Sequence, residues 1–152
     1  MRRSLLALVL LAGAVLAAGL WLQRGTDDPF ADYCAAVAEH REDIGAALGA
    51  GPTTGLLRAL PSFEALAEES PEDIAGDWRL VIERITALEE ALDAAGVDAS
   101  AYSFDDPPAD VPAADRKAIE TAAVRLGSPE TSTALSHVDQ QARDVCKTPL
   151  SM

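Results

Sequence analysis

Asparagine is absent from this 152-residue sequence, lysine occurs twice, and aromatic residues number only seven. The missing asparagine and the ten arginines against two lysines match GC-rich codon usage and carry no chemistry of their own. The aromatic shortage does carry a meaning. Trp21, Phe30, Tyr33, Phe63, Trp78, Tyr102 and Phe104 are too few and too scattered for a platform that stacks sugars or bases. Positive charge is scarce as well. Arg2, Arg3 and Arg24 flank an apolar N-terminal segment, which leaves nine basic residues against all 25 acidic ones, a balance of −16 beyond that segment. Such a surface repels phosphate backbones and anionic headgroups, so nucleic acid is excluded as a partner.

Reactive motifs are missing too. The chain has no G-x-S-x-G, no H-E-x-x-H, no phosphate-cradling glycine loop and no C-x-x-C. Its two histidines, His40 and His137, lack the Glu three residues earlier that di-iron bundles use. At about 100° per residue, His40 is turned about 240° from Cys34 and His137 about 180° from Cys146, so a shared metal or haem site is not expected. The expectation is therefore a protein that is not an enzyme, with no cofactor and no metal. Asp105, Asp106 and Asp110 form the one acidic run set among prolines, and they lack the alternating ligands and glycine of an EF-hand loop. They stand as candidates for a partner contact or a weak cation contact. The remaining acids, such as Glu68, Glu69, Glu89 and Glu90, read as solvent faces.

What the chain does have begins at its start. Met1-Arg2-Arg3 precedes an uncharged stretch over residues 4–22, which as a helix would span about 28 Å, close to a hydrocarbon core of about 30 Å. Ala17-Ala18-Gly19 offers a small-residue cleavage site, yet Leu20-Trp21-Leu22 carries the hydrophobicity past it and Trp21 suits an interfacial belt. The stretch is expected to be an uncleaved transmembrane anchor, with a cleaved signal segment as the alternative. Residues 1–3 would face the cytoplasm and everything after the segment would lie outside it. The expected division is 1–3 basic start, 4–22 anchor or signal, 23–27 linker, 28–147 extracytoplasmic domain, and 148–152 frayed tail.

Helical spacing dominates the domain, and no strand pattern is convincing. Asp28-Pro29 opens a first helix carrying Phe30, Tyr33, Cys34, Val37, Ile44 and Leu48, stopped at Gly49 and Gly51. An apolar piece over 56–66 is expected to break at Pro61. Ser70-Pro71-Glu72-Asp73 reads as a cap for a long helix on which Ile74, Trp78, Val81, Ile85, Leu88 and Leu92 recur every three or four residues. Trp78 on that seam reads as core. A Pro-rich connection with Tyr102 and Phe104 follows, then helices carrying Ile119, Ala123 and Leu126, and, after Ser128-Pro129-Glu130, Leu135, Val138, Ala142 and Val145.

Cys34 and Cys146 are the only cysteines, and outside the cytoplasm pairing is the default, with free thiols or an intermolecular bridge as alternatives. A bridge needs Cα atoms within about 7 Å. The first turn of the first helix must then meet the last turn of the last, which parallel helices cannot do. The expected fold class is all-α: an antiparallel bundle of four main helices with a short helical insertion around Pro61, closed by one disulfide and preceded by a transmembrane or signal helix.

The apolar start, Tyr33-Cys34, Ser70-Pro71-Glu72-Asp73-Ile74 and the late Cys146 together resemble small, Ala-rich exported or membrane-anchored all-α proteins of unknown function from GC-rich bacteria. The resemblance covers most of the chain, implies export and a helical fold, and implies no activity. The functional expectation is a non-enzymatic protein-interaction module at the cell envelope. It would contact the lipid bilayer through residues 4–22 and a protein partner through its domain. The alternative is a secreted or periplasmic small-ligand carrier with a cavity between helices near Tyr102 and Phe104.

Overall fold

The computed structural model of the chain describes residues 28–51 and 54–152. The basic start, the anchor or signal segment 4–22 and the linker 23–27 lie outside the described residues. No helix among the described residues is long and apolar enough to cross a membrane. The chain divides into the units Met1–Ala31 and Asp32–Met152. In the first, Asp28 accepts the Phe30 N–H at 3.0 Å, a local side-chain turn just ahead of the first helix.

The second unit is an all-helical bundle. Its elements are α1 (Ala31–Leu48, of which all but the first residue belong to this unit), α2 (Gly55–Glu68), α3 (Ala75–Ala94), α4 (Ala113–Leu126) and α5 (Pro129–Gln141), which runs on into a π-helical turn, Ala142–Cys146. Helix α3 is the hub: its backbone comes close to α2, α4 and α5. All six seam residues, Ile74, Trp78, Val81, Ile85, Leu88 and Leu92, are buried. Trp78, Val81 and Ile85 join Phe63 and Leu66 of α2 and Ala134 and Val138 of α5 in one cluster. Further along α3, Leu88 and Leu92 join Tyr102, Ile119 and Ala122 in a second. One stripe on one helix therefore serves two cores.

Local chemistry explains most boundaries. Ser128 caps α5, its hydroxyl accepting the Thr131 N–H at 3.3 Å with Pro129 at the first helical position. At the end of α3, Gly96 takes φ +65°, which lets Val97 N–H reach Leu92 O at 3.0 Å and Gly96 N–H reach Asp93 O at 2.9 Å. That paired pattern needs a left-handed residue, and glycine adopts it without a Cβ clash.

Three local expectations are corrected. Helix α2 passes through Pro61 without a break. The proline removes one backbone donor, at a cost of about 3 kcal/mol, but its ring faces solvent. Leu60, Phe63 and Leu66 are buried on the opposite side. At about 1.5–3 kcal/mol each, their burial outweighs that loss, and the expected short insertion is a helix as long as α4. Ser70 does not cap α3; its hydroxyl donates backwards to Ala67 O at 2.8 Å, satisfying the end of α2, and α3 starts at Ala75 after a turn. The tail is not frayed. Lys147 adopts φ +58°, the chain turns back, and Leu150 is buried with its N–H on Asp139 Oδ1 at 3.1 Å.

That tail lies on α1. A Cβ at Gly45 would sit 2.6 Å from Met152 O, closer than any side chain tolerates. Cys34 and Cys146 are joined, their Cα atoms 5.2 Å apart across a sequence separation of 112. Helix α1 is thus held by Tyr33, Val37 and Ile44 in the first cluster, by the disulfide, and by the returning tail.

Two outcomes follow for stability. In the chain-entropy picture a loop of that length contributes up to about 5 kcal/mol, so reduction should lower the melting temperature by roughly 10–20 °C; a melting curve indifferent to reductant would refute the structural role. Gly45→Ala gains about 1 kcal/mol of helix propensity but must displace the tail and expose Leu150, which costs more. It should destabilise the full chain by about 1 kcal/mol and stabilise a chain shortened after Lys147, as read by urea unfolding of both pairs.

Candidate functional site

Among the described residues the large exposed apolar side chains include Leu48, Phe104, Val124 and Met152. Phe104 and Val124 line one cleft, together with Tyr102, Pro107, Arg116, Glu120 and Ala123, enclosing about 470 Å³. Its two walls have separate local origins.

One wall is the connection from α3 to α4. After Gly96, Asp98 closes a small turn by accepting the Ser100 N–H at 2.7 Å and the Ser100 hydroxyl. These two bonds, chiefly the hydroxyl's, hold the Asp98 carboxyl below its usual range. Tyr102 then drops into the second core cluster. Phe104 packs edge-on against it, ring centroids 5.1 Å apart and planes at 78°, a favourable aromatic geometry. Pro107 and Pro108 keep the backbone out of helix, Asp106 N–H donates to Ser103 Oγ at 3.3 Å, and Val111 returns to the interior. The other wall is α4, where Arg116, Glu120 and Val124 follow each other at intervals of four on one face.

Asp105, Asp106 and Asp110 are exposed on the connection, flanking Phe104 and the prolines. No group of three or more His, Cys, Asp or Glu able to hold a metal ion occurs among the described residues, so these carboxylates are not brought together as a chelating set. The cavity near Tyr102 and Phe104 was expected between helices; the cleft found there lies instead between the connection and α4 and opens to solvent, with Phe104 45% and Val124 68% exposed. Val124 was not legible as part of it. Its signal is phase: five residues after Ile119 it points about 140° away from the core stripe, an odd place for a β-branched side chain.

Some polar groups away from the cleft join one helix to another. His137 Nδ1 lies 3.2 Å from Asp77 Oδ2, linking α5 to α3. A second cleft of about 340 Å³ sets Arg58 of α2 among Glu89, Asp93 and Asp98, a mixed-charge lining that also holds the Thr54 and Ser100 side chains. Comparison of the chain with protein-family models, curated proteins and solved structures yields no match.

One buried titratable group stands apart from the cleft. Tyr33, 1% exposed, and Trp78, fully buried, place a hydroxyl and an indole N–H in the first core cluster without a hydrogen bond of good geometry. Burial pushes the Tyr33 phenol up to about 12; the nearby indole offsets part of that rise, and the Asp139 and Asp73 charges add to it. A folded value above the unfolded 10.0 means stability that is intact below pH 10 and lost as pH climbs through 12. Tyr33→Phe should leave stability at pH 7 unchanged or slightly higher, since an unpartnered buried hydroxyl costs about 1–3 kcal/mol. It should also flatten the loss between pH 10 and 12. Circular dichroism melts across pH 7–12 test this, and a variant less stable at pH 7 would refute it.

Proposed function

We propose that the chain is a non-enzymatic protein-interaction module of the cell envelope, tethered by residues 4–22 with its helical domain outside the cytoplasm. In this reading the helices run antiparallel, the orientation that lets the opening turn of α1 meet the chain's last helical turn. The five-residue linker 23–27 keeps the domain close to the bilayer. A disulfide that closes the domain suits an oxidising compartment.

The observation that carries the reading is the Phe104–Val124 surface. Two large apolar side chains stand in water, Phe104 on a connection whose ends are pinned by Tyr102 and Val111 and Val124 on α4, with no catalytic constellation beside them. Exposed apolar groups on a fixed scaffold, rimmed by polar ones, mark contact sites. The second reading, a small-ligand carrier, draws on the same cleft, whose volume falls in the range of about 300–1,000 Å³ typical of ligand pockets. It is the weaker reading because the cleft is open along Phe104 and Val124 and supplies no convergent polar set.

A photo-crosslinking residue placed at 104, at 124 or at Glu64 of α2 separates these readings in intact cells. The module reading predicts a discrete protein adduct from 104 and 124 and none from 64. Absence of an adduct at both cleft positions, with a small molecule retained in native mass spectrometry of the full chain, would favour the carrier and overturn the module.

A further inference from the structure

We propose that the Cys34–Cys146 bridge is a redox latch: its reduction by a dithiol frees α1 from the bundle and lengthens the tether that carries the Phe104 surface. This rests on the anchored-module reading above and names how that surface is regulated.

Helix α1 is held unlike the other helices. The backbones of α2, α4 and α5 come close to α3 at many points, and that of α1 does not. Polar contacts tie α5 to α3 through His137 and Asp77, Gln141 and Asp73, and Glu130 and Arg84. Helix α1 instead buries the Tyr33 hydroxyl and Arg41 Nε, both without a partner. Undocking returns these two groups to water, which offsets part of the lost burial of Tyr33, Val37 and Ile44. Beyond those side chains, the opening half of α1 is kept in place by the bridge. The tail has its own hold on α5, through Leu150 N–H on Asp139, and does not need α1. At its far end α1 stays joined to α2, where Gly55 lies against the Leu48 backbone. Release therefore swings α1 out from its first turn.

The two-core arrangement insulates the contact surface from this change. Phe104 stands on the cluster of Leu88, Leu92, Tyr102, Ile119 and Ala122, which contains no α1 residue. Both cysteines are half-buried, open enough for a thiolate to reach a sulfur. One thiolate of the dithiol attacks a bridge sulfur, breaking the S–S bond and forming a mixed disulfide. The second thiol of the dithiol then displaces the protein sulfur. Cys34 and Cys146 end as thiols with two electrons and two protons gained, and the dithiol ends as a disulfide. In the oxidised chain residues 23–32 separate the anchor from the first core side chain, Tyr33. After release residues 23–48 do. At about 3.5 Å per extended residue, the longest possible span rises from about 35 Å to about 90 Å.

Two readouts on the full chain in zwitterionic nanodiscs, with dithiothreitol as the dithiol, test the latch. The first compares trypsin cleavage after Arg41 of α1 with cleavage after Arg84 of α3, each of which needs local unfolding of its helix. The second is quenching of a dye at position 90 of α3 by a quencher on the lipid headgroups. Reduction should speed cleavage at Arg41 at least tenfold and at Arg84 less than twofold, and should lower the quenching. Reoxidation should restore both. The double change Cys34→Ser, Cys146→Ser should cleave at the reduced rate with or without dithiothreitol. Equal acceleration at Arg41 and Arg84 would make the bridge a staple of the whole fold and overturn the latch, as would an unchanged rate at Arg41. Faster cleavage at Arg41 with unchanged quenching would overturn the gain in reach. A chain that nanodiscs do not retain would remove the anchored reading instead, and the Arg41 rate in solution would still decide the latch.

Discussion

The apolar stripe on α3 is the constraint around which the rest of the domain is arranged. Six side chains from Ile74 to Leu92 are buried along a helix of about 30 Å. Each end of that stripe needs its own cover. Near Trp78 the cover is α2, α5 and α1; near Leu92 it is Tyr102 and α4. Phe63 packs against Trp78 with ring centroids 5.6 Å apart, so the largest buried side chain also fixes where α2 lies. The candidate surface inherits its position from this stripe. Tyr102 is drawn into the second cluster, and Phe104, two residues on, is left in water beside α4.

Helix α1 depends on the stripe differently. Its inner face contributes Tyr33, Val37 and Ile44, but its remaining attachments are covalent and terminal: Cys34 to Cys146, and Gly45 against the backbone of Met152. Both attachments belong to the last stretch of the chain. The π-helical turn ends at Cys146, and the left-handed Lys147 then reverses the backbone so that Leu150 can enter the core. One short segment thereby secures the bridge and the strap together, which concentrates the hold on α1 at a few residues.

How much of this was legible follows from whether the signal was local. The α3 seam, the Ser128 cap and the helical bodies were readable because periodicity and capping act within one or two turns. The cysteine pair was readable because two cysteines leave few choices. Pro61 misled because its backbone penalty is visible in the sequence, whereas the burial of Leu60, Phe63 and Leu66 that outweighs it exists only in the fold. Ser70 misled because a serine between two helices can serve either end. The docked tail gave no warning: its turn rests on a lysine in a conformation that usually announces itself with glycine. At the candidate site Phe104 was legible as an aromatic in a Pro-rich connection. Val124 needed the phase of α4, which depends on where Ile119 settles.

Native-state hydrogen exchange on oxidised and reduced protein tests the central claim most directly. If α3 is the shared wall of both cores, amides from Val81 to Leu92 exchange most slowly and retain protection after reduction, while those of α1 and the tail lose theirs first. Exchange in α3 that is as fast as in α1, or that collapses together with α1 on reduction, would contradict the account.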